Sequence, residues 1–327
     1  MVGHIFERND SVELLNDFRR ESFRQTPGLV QFRLKVFHND KILWEFQGSR
    51  DSIVSGSDQP LSESVREALD MSGATELKTS FSGEEKKLSS PDWKDWFLRK
   101  TSLDEKRQKY LVPDTNFIYR HYSSKVLARH LGSTFSDCIF LLPNLVVLEI
   151  ERRGNQSSQR NSDKGKDKRT SFYATKEIYF LRQKTKFSML PVLNASLMSS
   201  FSEKAGRGLV DMWIRREVHD AIEKGYYDFE GVVFLTCDLM NALAAEAEGL
   251  ETCYFSRMPQ DSFFVQDLEQ LFDLLLATAI VYEKIRVDVI LKGDVVGYSY
   301  VFEGVWNGKT TSQWYSDCVK VTLIKNP

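Results

Sequence analysis

The sequence predicts an α/β domain joined to a second, β-rich unit, and three observations predict it. Between residues 110 and 256 short apolar runs alternate with stretches of helical periodicity, the pattern of a parallel sheet covered by helices. Near both chain ends, at 32–48 and 285–304, apolar and polar residues alternate in hairpin-like layouts. The 327 residues also amount to about two domain lengths at roughly 150 residues each.

Composition narrows the classes further. The 44 Lys and Arg against 46 Asp and Glu leave a formal charge of -2, with 42% hydrophobic residues, so the chain is globular and neither disordered nor globally basic. Nucleic-acid binding would have to come from one charged face and not from net charge. Cys138, Cys237, Cys253 and Cys318 form no C-x-x-C pair, which speaks against a zinc site or a disulfide framework and for small buried thiols. The start, MVGHIFERND, lacks the apolar core of a secretory signal. The most apolar stretch, 274–282, is far shorter than the roughly 20 residues that cross a bilayer. A cytoplasmic protein without membrane contact is expected.

Taken in order, 1–108 reads as an N-terminal α+β accessory segment. Ser11 can cap a helix over 12–23, and 29–36 and 41–46 alternate as two strands around an Asn39-Asp40 turn. The Ser-, Gly- and acid-rich stretch 48–91 reads as loop with one helix near 61–71, and 91–109 as an amphipathic helix. Residues 109–258 form the α/β domain. Strands are expected at 110–112, 138–142, 231–235 and 251–255, and helices at 116–130, 144–153, 211–224 and 239–248. A polar insert, 152–169, carries seven Lys or Arg against Asp163 and Asp167, net +5. Residues 259–327 read as an apolar helix over 264–281 and a β-meander, 285–291, 295–306, 309–315 and 318–324, with Asn307-Gly308 as a hairpin turn. Tyr298, Tyr300 and Phe302 alternate onto one face near Trp306, Trp314 and Tyr315. Core packing outweighs base stacking as their role. An isolated hairpin is marginal in water, so the two ends are expected to pair into one accessory unit.

Chemistry concentrates in four carboxylates. Asp114 closes the first strand in YLVPDTN and Asp238 a later one in FLTCDLMN, where open α/β sheets place their ligand sites. Glu149 lies in the helix after the second strand, and Asp211 opens a helix in GRGLVDMWI. Singly, each acid reads as a cap or turn former. Gathered without cations the four would repel and take up protons, so together they suit a hard cation. Glu151 is roughly 200° from Glu149 around a helix and cannot share its crevice.

PDTN at 113–116, LPNLVVLE at 142–149, Asp211 ahead of its helix, and TCDLMNALAAEAEGL at 236–250 resemble the successive motifs of the PIN domain, a metal-dependent nuclease fold. The resemblance covers about 110–255. It implies a PIN-like parallel sheet with flanking helices, and a hydrolase in which Asp114, Glu149, Asp211 and Asp238 hold Mg²⁺ or Mn²⁺. By the same likeness Thr115, Asn116, Thr236 and Asn241 are the polar neighbours that orient those acids or the water. Asp220, or Glu177 in the insert, is an alternative third acid. The implied activity is phosphodiester hydrolysis by an endoribonuclease acting on single-stranded RNA. Its rival is a noncatalytic nucleic-acid-binding or assembly module that keeps the fold. The partners implied are nucleic acid, RNA ahead of DNA, with room for a homo-oligomer. Arg152, Arg153, Lys164, Lys166, Lys168 and Arg169 read equally as a path for the phosphate backbone and as a solvated loop, and Arg215 and Arg216 offer a second strip. His121 reads as surface or substrate-facing, not as a general base.

Overall fold

The computed structural model describes residues 33–47, 52–54, 62–102, 108–155, 164–191, 207–258, 265, 268–290, 296–304 and 319–324. The chain divides into two compact units, Met1–Thr75 with Ser157–Tyr173 and Pro259–Pro327, and Glu76–Gln156 with Ala174–Met258. No helix among the described residues is long and apolar enough to cross a membrane.

The first unit is an antiparallel sheet with helices. Strands β1 (Arg33–His38), β2 (Lys41–Gln47), β3 (Ser52–Val54), β11 (Lys284–Ile290), β12 (Val296–Gly304) and β13 (Val319–Ile324) lie in the order β13-β12-β11-β1-β2-β3. β1 runs against β11, with Val36 opposite Val287, so strands from the two chain ends share one sheet. Asn39 and Asp40 join β1 to β2 at φ 47° and 60°, the left-handed pair that a two-residue type I′ turn requires. Helix α1 (Glu63–Ser72) starts on Ser62, whose hydroxyl accepts from Val65 N at 3.3 Å, and ends on Gly73 at φ 69°. Leu34, Val36, Trp44 and Phe46 are buried with Leu69 of α1 and with Leu274 and Leu275 of α9 (Leu268–Tyr282). Each such side chain contributes about 1.5–3 kcal/mol of burial.

The end of α9 explains two further residues. Glu283 turns left-handed at φ 70°. The Arg169 guanidinium reaches the last carbonyls of the helix, donating from Nε to Ile280 O at 2.7 Å, and lies 3.2 Å from the Glu283 carboxylate. A cation suits that end of the helix dipole. Gly304 donates its N–H to Glu283 O, and a Cβ there would stand 2.9 Å from Ala279 O. The reading of Arg169 as part of a nucleic-acid path is therefore corrected: it is buried and holds a helix terminus.

The second unit carries a mixed sheet. Its strands are β4 (Leu77–Phe81), β5 (Glu84–Lys87), β6 (Tyr110–Pro113), β7 (Ile139–Leu142), β8 (Lys186–Met189), β9 (Val232–Thr236) and β10 (Glu251–Arg257), in the order β5-β4-β10-β9-β6-β7-β8. From β10 to β8 the neighbours are parallel, and β4 and β5 add antiparallel at one edge. All five residues of β9 are buried, as a parallel strand covered on both faces demands. The helices are α2 (Trp93–Lys100), α3 (Thr115–Tyr119), α4 (Ala128–Leu131), α5 (Asn144–Asn155), α6 (Lys164–Lys184), α7 (Arg207–Glu223) and α8 (Leu239–Ala247), α6 beginning among residues of the first unit. Val112, Phe140, Leu181, Ile214 and Phe234 sit in one core cluster.

Several elements depart from the sequence reading. The stretch 48–91, read as loop around one helix, contains β3, β4 and β5 as well as α1. β5 is EEKK, an exposed edge strand with no apolar alternation to betray it, and such charges protect an edge from further pairing. Residues 76–100, assigned to the N-terminal segment, belong to the second unit and extend its sheet. The helix expected over 116–130 is broken: His121 is left-handed at φ 56° and a π-helical turn, Tyr122–Leu127, separates α3 from α4. From Lys164 onward the polar insert is the helix α6, whose buried Ala174 and Leu181 lie beyond the run of charge. Tyr300 and Phe302 pack in the first unit's core. The helix read at 12–23, the Asn307-Gly308 turn, the 309–315 strand, Trp306, Trp314, Tyr315, Cys318 and the Tyr298 side chain lie outside the described residues.

Candidate functional site

β6 occupies the middle of the parallel strands, with β7 on one side and β9 on the other. The chain leaves β6 for β7 and returns on the other side at β9, so the carboxyl ends of β6 and β9 flank a topological switch point, where such sheets bind ligands. Asp114 and Asp238 stand at these two ends, and each caps the helix that follows. Asp114 Oδ1 accepts from Phe117 N at 2.7 Å, and its Oδ2 accepts from Thr236 Oγ1 at 2.5 Å and Asn241 Nδ2 at 3.0 Å. Asp238 Oδ1 accepts from Met240 N at 2.8 Å and Asn241 N at 3.2 Å, while its own N–H donates to Thr236 Oγ1 at 3.0 Å. The role as caps thus coexists with shared partners, Thr236 and Asn241 each bonding to both acids.

Glu149 and Asp211 come from helices. Glu149, one turn into α5 and buried, spends Oε1 on an ion pair with Arg153, and its buried Oε2 has no hydrogen-bond partner among the described residues. Asp211 lies one turn inside α7, which begins at Arg207, and not at the helix start. Burial, then the charges of Asp114, Glu149 and Asp238, push its carboxyl up to about 7 against the pull of Arg215. Asp114 is raised to about 6, by burial first and in part by Asp238, although three hydrogen bonds oppose the shift. The four acids named from sequence therefore stand within each other's fields. Burial opposes the charge of Arg153, which Glu149, Tyr119 and Asp211 nevertheless hold above its ordinary value.

The supporting residues divide. Thr236 and Asn241 are buried and bond Asp114 directly. Thr115 is buried, its Oγ1 without a partner among the described residues, and Asn116 is half-buried in the first turn of α3. Asp220 is ion-paired to Arg216 at 2.6 Å. Glu177 is buried 3.2 Å from His121 Nδ1 and accepts from Ser124 N at 2.8 Å, and despite burial these partners lower its carboxyl pKa. Asp114, Glu149 and Asp238, not these two, act most strongly on Asp211. His121 is buried, which corrects its reading as a surface residue.

Two residues that the sequence reading missed or misplaced tie the helices together. Glu217 of α7 accepts from Asn144 N at 2.9 Å, Asn144 Nδ2 at 2.8 Å and Leu145 N at 3.1 Å, capping α5 from another helix. Arg215 of α7 donates from Nε to both carboxylate oxygens of Glu248, at 3.0 and 2.9 Å, and from Nη1 to Asn241 Oδ1. Arg215 is buried, so its reading as part of a surface strip is corrected as well. Of the remaining basic residues, Lys166 pairs with Glu67 at 2.6 Å, Lys168 and Arg152 are half-buried, Arg216 is exposed and bridges Asp220 and Glu223, and the Lys164 side chain lies outside the described residues. Lys164, Lys166, Lys168 and Arg169 belong to the first unit, whereas the acids belong to the second.

Hard oxygen donors of one charge, one of them a buried Glu149 oxygen left unsatisfied among the described residues, fit a divalent cation of the Mg²⁺ or Mn²⁺ kind. Among the described residues no three or more His, Cys, Asp or Glu side chains are arranged as they stand to hold a metal ion. The cluster is an electrostatic one and not a closed coordination shell.

No protein-family model matches the chain, and no curated protein matches it in sequence. Among solved structures the chain is similar to a domain of a functionally unknown protein from Methanocaldococcus jannaschii DSM 2661, at 19% identity and a TM-score of 0.34 over 46% of this chain and 94% of that one, a likeness too distant to bear on fold or function.

Proposed function

We propose that the second unit is a metal-dependent nuclease of the PIN type, an endoribonuclease acting on single-stranded RNA. The observation that supports it is the placing of Asp114 and Asp238 side by side at a switch point, with Asp211 close enough that, after burial, the charges of Asp114, Glu149 and Asp238 raise its carboxyl to about 7. The choice of RNA over DNA rests on the motif resemblance alone. In this reading the four carboxylates hold Mg²⁺ or Mn²⁺. When bound, the ion supplies charge that lowers the pKa of water and neutralises the phosphate being cut. The chain's own residues prepare that chemistry. Phe117 N, Thr236 and Asn241 fix the rotamer of Asp114, and Arg153 holds one oxygen of Glu149 while the other stays available. Of the cations read from sequence as a phosphate path, half-buried Arg152 and exposed Arg216, which also bridges Asp220 and Glu223, lie in this unit and would meet the RNA backbone.

The rival is a noncatalytic nucleic-acid-binding or assembly module that keeps the fold. Purified chain, Asp114→Asn and Asp238→Asn, assayed on a labelled oligoribonucleotide with Mn²⁺, decide between them. Each substitution should cut the rate by at least a hundredfold, and circular dichroism should show both variants folded, Asp114→Asn with a lower melting temperature because its amide nitrogen faces donors that Asp114 accepts from. Cleavage that persists in either variant, or its absence from the parent chain, rejects the nuclease.

A further inference from the structure

We infer that Arg215 is a positioning residue for the acid cluster, acting through Asn241 on Asp114, and not a nucleic-acid contact. The inference rests on the nuclease reading and deepens it. Arg215 is 6% exposed, and its guanidinium can only donate. With Nε held on both oxygens of Glu248, Nη1 meets Asn241 at its amide oxygen. That fixes the hand of the amide: the nitrogen must face the other way, and it donates to Asp114 Oδ2 at 3.0 Å. A flipped Asn241 would set two acceptors, its own oxygen and a buried carboxylate, against each other and would leave the guanidinium facing an NH₂ group. Glu248, which His219 also approaches at 3.5 Å, anchors the far end of the chain of contacts. The relay Glu248, Arg215, Asn241, Asp114 thus links α8, α7 and the end of β6, and fixes the donor that Asp114 Oδ2 meets. Lysine could not replace it, because one ammonium on a flexible stem has no planar fork to satisfy Glu248 and Asn241 together.

Charge alone predicts the opposite effect, which makes the test sharp. Arg215 is a cation beside the cluster, so removing its charge without loss of geometry would tighten cation binding. Loss of positioning weakens it, by about ten- to a hundredfold for partners of metal ligands. The experiment titrates Mn²⁺ calorimetrically into the full-length parent chain, Arg215→Met, Arg215→Lys and Glu248→Gln. In parallel it measures binding of a fluorescein-labelled oligouridine in EDTA across a salt series. The expected result is weaker Mn²⁺ binding in all three variants, least in Glu248→Gln, with oligouridine affinity and its salt slope as in the parent. Mn²⁺ affinity equal to or tighter than the parent's in Arg215→Met overturns the role, as does a reduced salt slope. Should Arg215→Met not fold, Arg215→Lys and Glu248→Gln decide by the same criterion. A parent chain that binds no Mn²⁺ rejects the nuclease reading and this role with it, whereas a parent that binds while the variants bind equally rejects the role alone.

Discussion

Asp211 is where burial and like charge meet most strongly, and the direction of its shift fixes a pH dependence. Its carboxyl stands at about 7 against an ordinary 3.8, so the folded apo chain takes up a proton more readily than the unfolded one. Stability associated with this group is complete below the ordinary carboxylate range and is lost as pH rises through about 7. A rise from 3.8 to about 7 would convert to about 4 kcal/mol for a fully buried group. Asp211 is half-buried, and solvent screening brings this down to about 1–2 kcal/mol. Urea unfolding of the apo chain should therefore show a midpoint that falls between pH 5 and pH 8, and Asp211→Asn should flatten that decline and raise the midpoint at pH 8. A wild-type midpoint that climbs over the same interval would contradict the placement of Asp211 among the other acids. Asp114 and Asp238 were legible in the sequence, because strand ends in a parallel sheet face one edge whatever the rest of the chain does. Arg215 was not, since an arginine four residues past an acid reads as surface charge, and only its bond to Asn241, 26 residues on, reveals that it is buried and committed.

At the scale of elements, α7 is the member that holds the cluster together. It supplies Asp211, grips α8 through Arg215, and caps α5 through Glu217, which is buried and accepts two backbone N–H groups and one amide. Burial raises the Glu217 carboxyl against those hydrogen bonds, the signature of a charge placed indoors to serve as a cap. Glu217→Ala leaves the start of α5 without an acceptor and should cost about 1.5–3 kcal/mol, the range for a hydrogen bond to a charged group. Amide exchange at Asn144 and Leu145 is the direct measurement. Protection unchanged there, with an unchanged melting temperature, would show that α5 is capped by other means. Nothing local announces this partnership, because 73 residues separate the cap from the helix it starts. By contrast α8 and β9 were readable nearly to the residue, since their apolar periodicity and the Asp238 cap are contiguous in sequence. α6 was hidden for a different reason: its first turns are Lys, Gly and Asp, whose polarity resembles loop, and the apolar face begins only at Phe172.

At the scale of the molecule the chain passes between its two units four times, so a linear division into three segments does not describe the fold. That division followed composition, and composition does not change where the units are exchanged. What the pattern did convey was that each end alone holds too few strands. β1 lies between β11 and β2 in the six-stranded sheet, and α1 covers the same core as α9. Removing residues 1–75 would take away β1, β2, β3 and α1 together. β11 would then present an open edge of unpaired backbone, and Leu274, Leu275, Val287 and Phe302 would lose Val36, Trp44 and Leu69 from their surroundings. An exposed edge beside an apolar face invites association with another copy. The cut must fall at residue 75 and not near 100, because β4, β5 and α2 belong to the sheet and core that carry the acids. The truncated chain should accordingly elute as large or polydisperse species in size exclusion with light scattering, while any monomeric fraction keeps the amide spectrum of the second unit. A truncated chain that is monodisperse at high concentration, with the amide spectrum of β11 and β12 unaltered, would mean that the C-terminal strands are held by something other than β1.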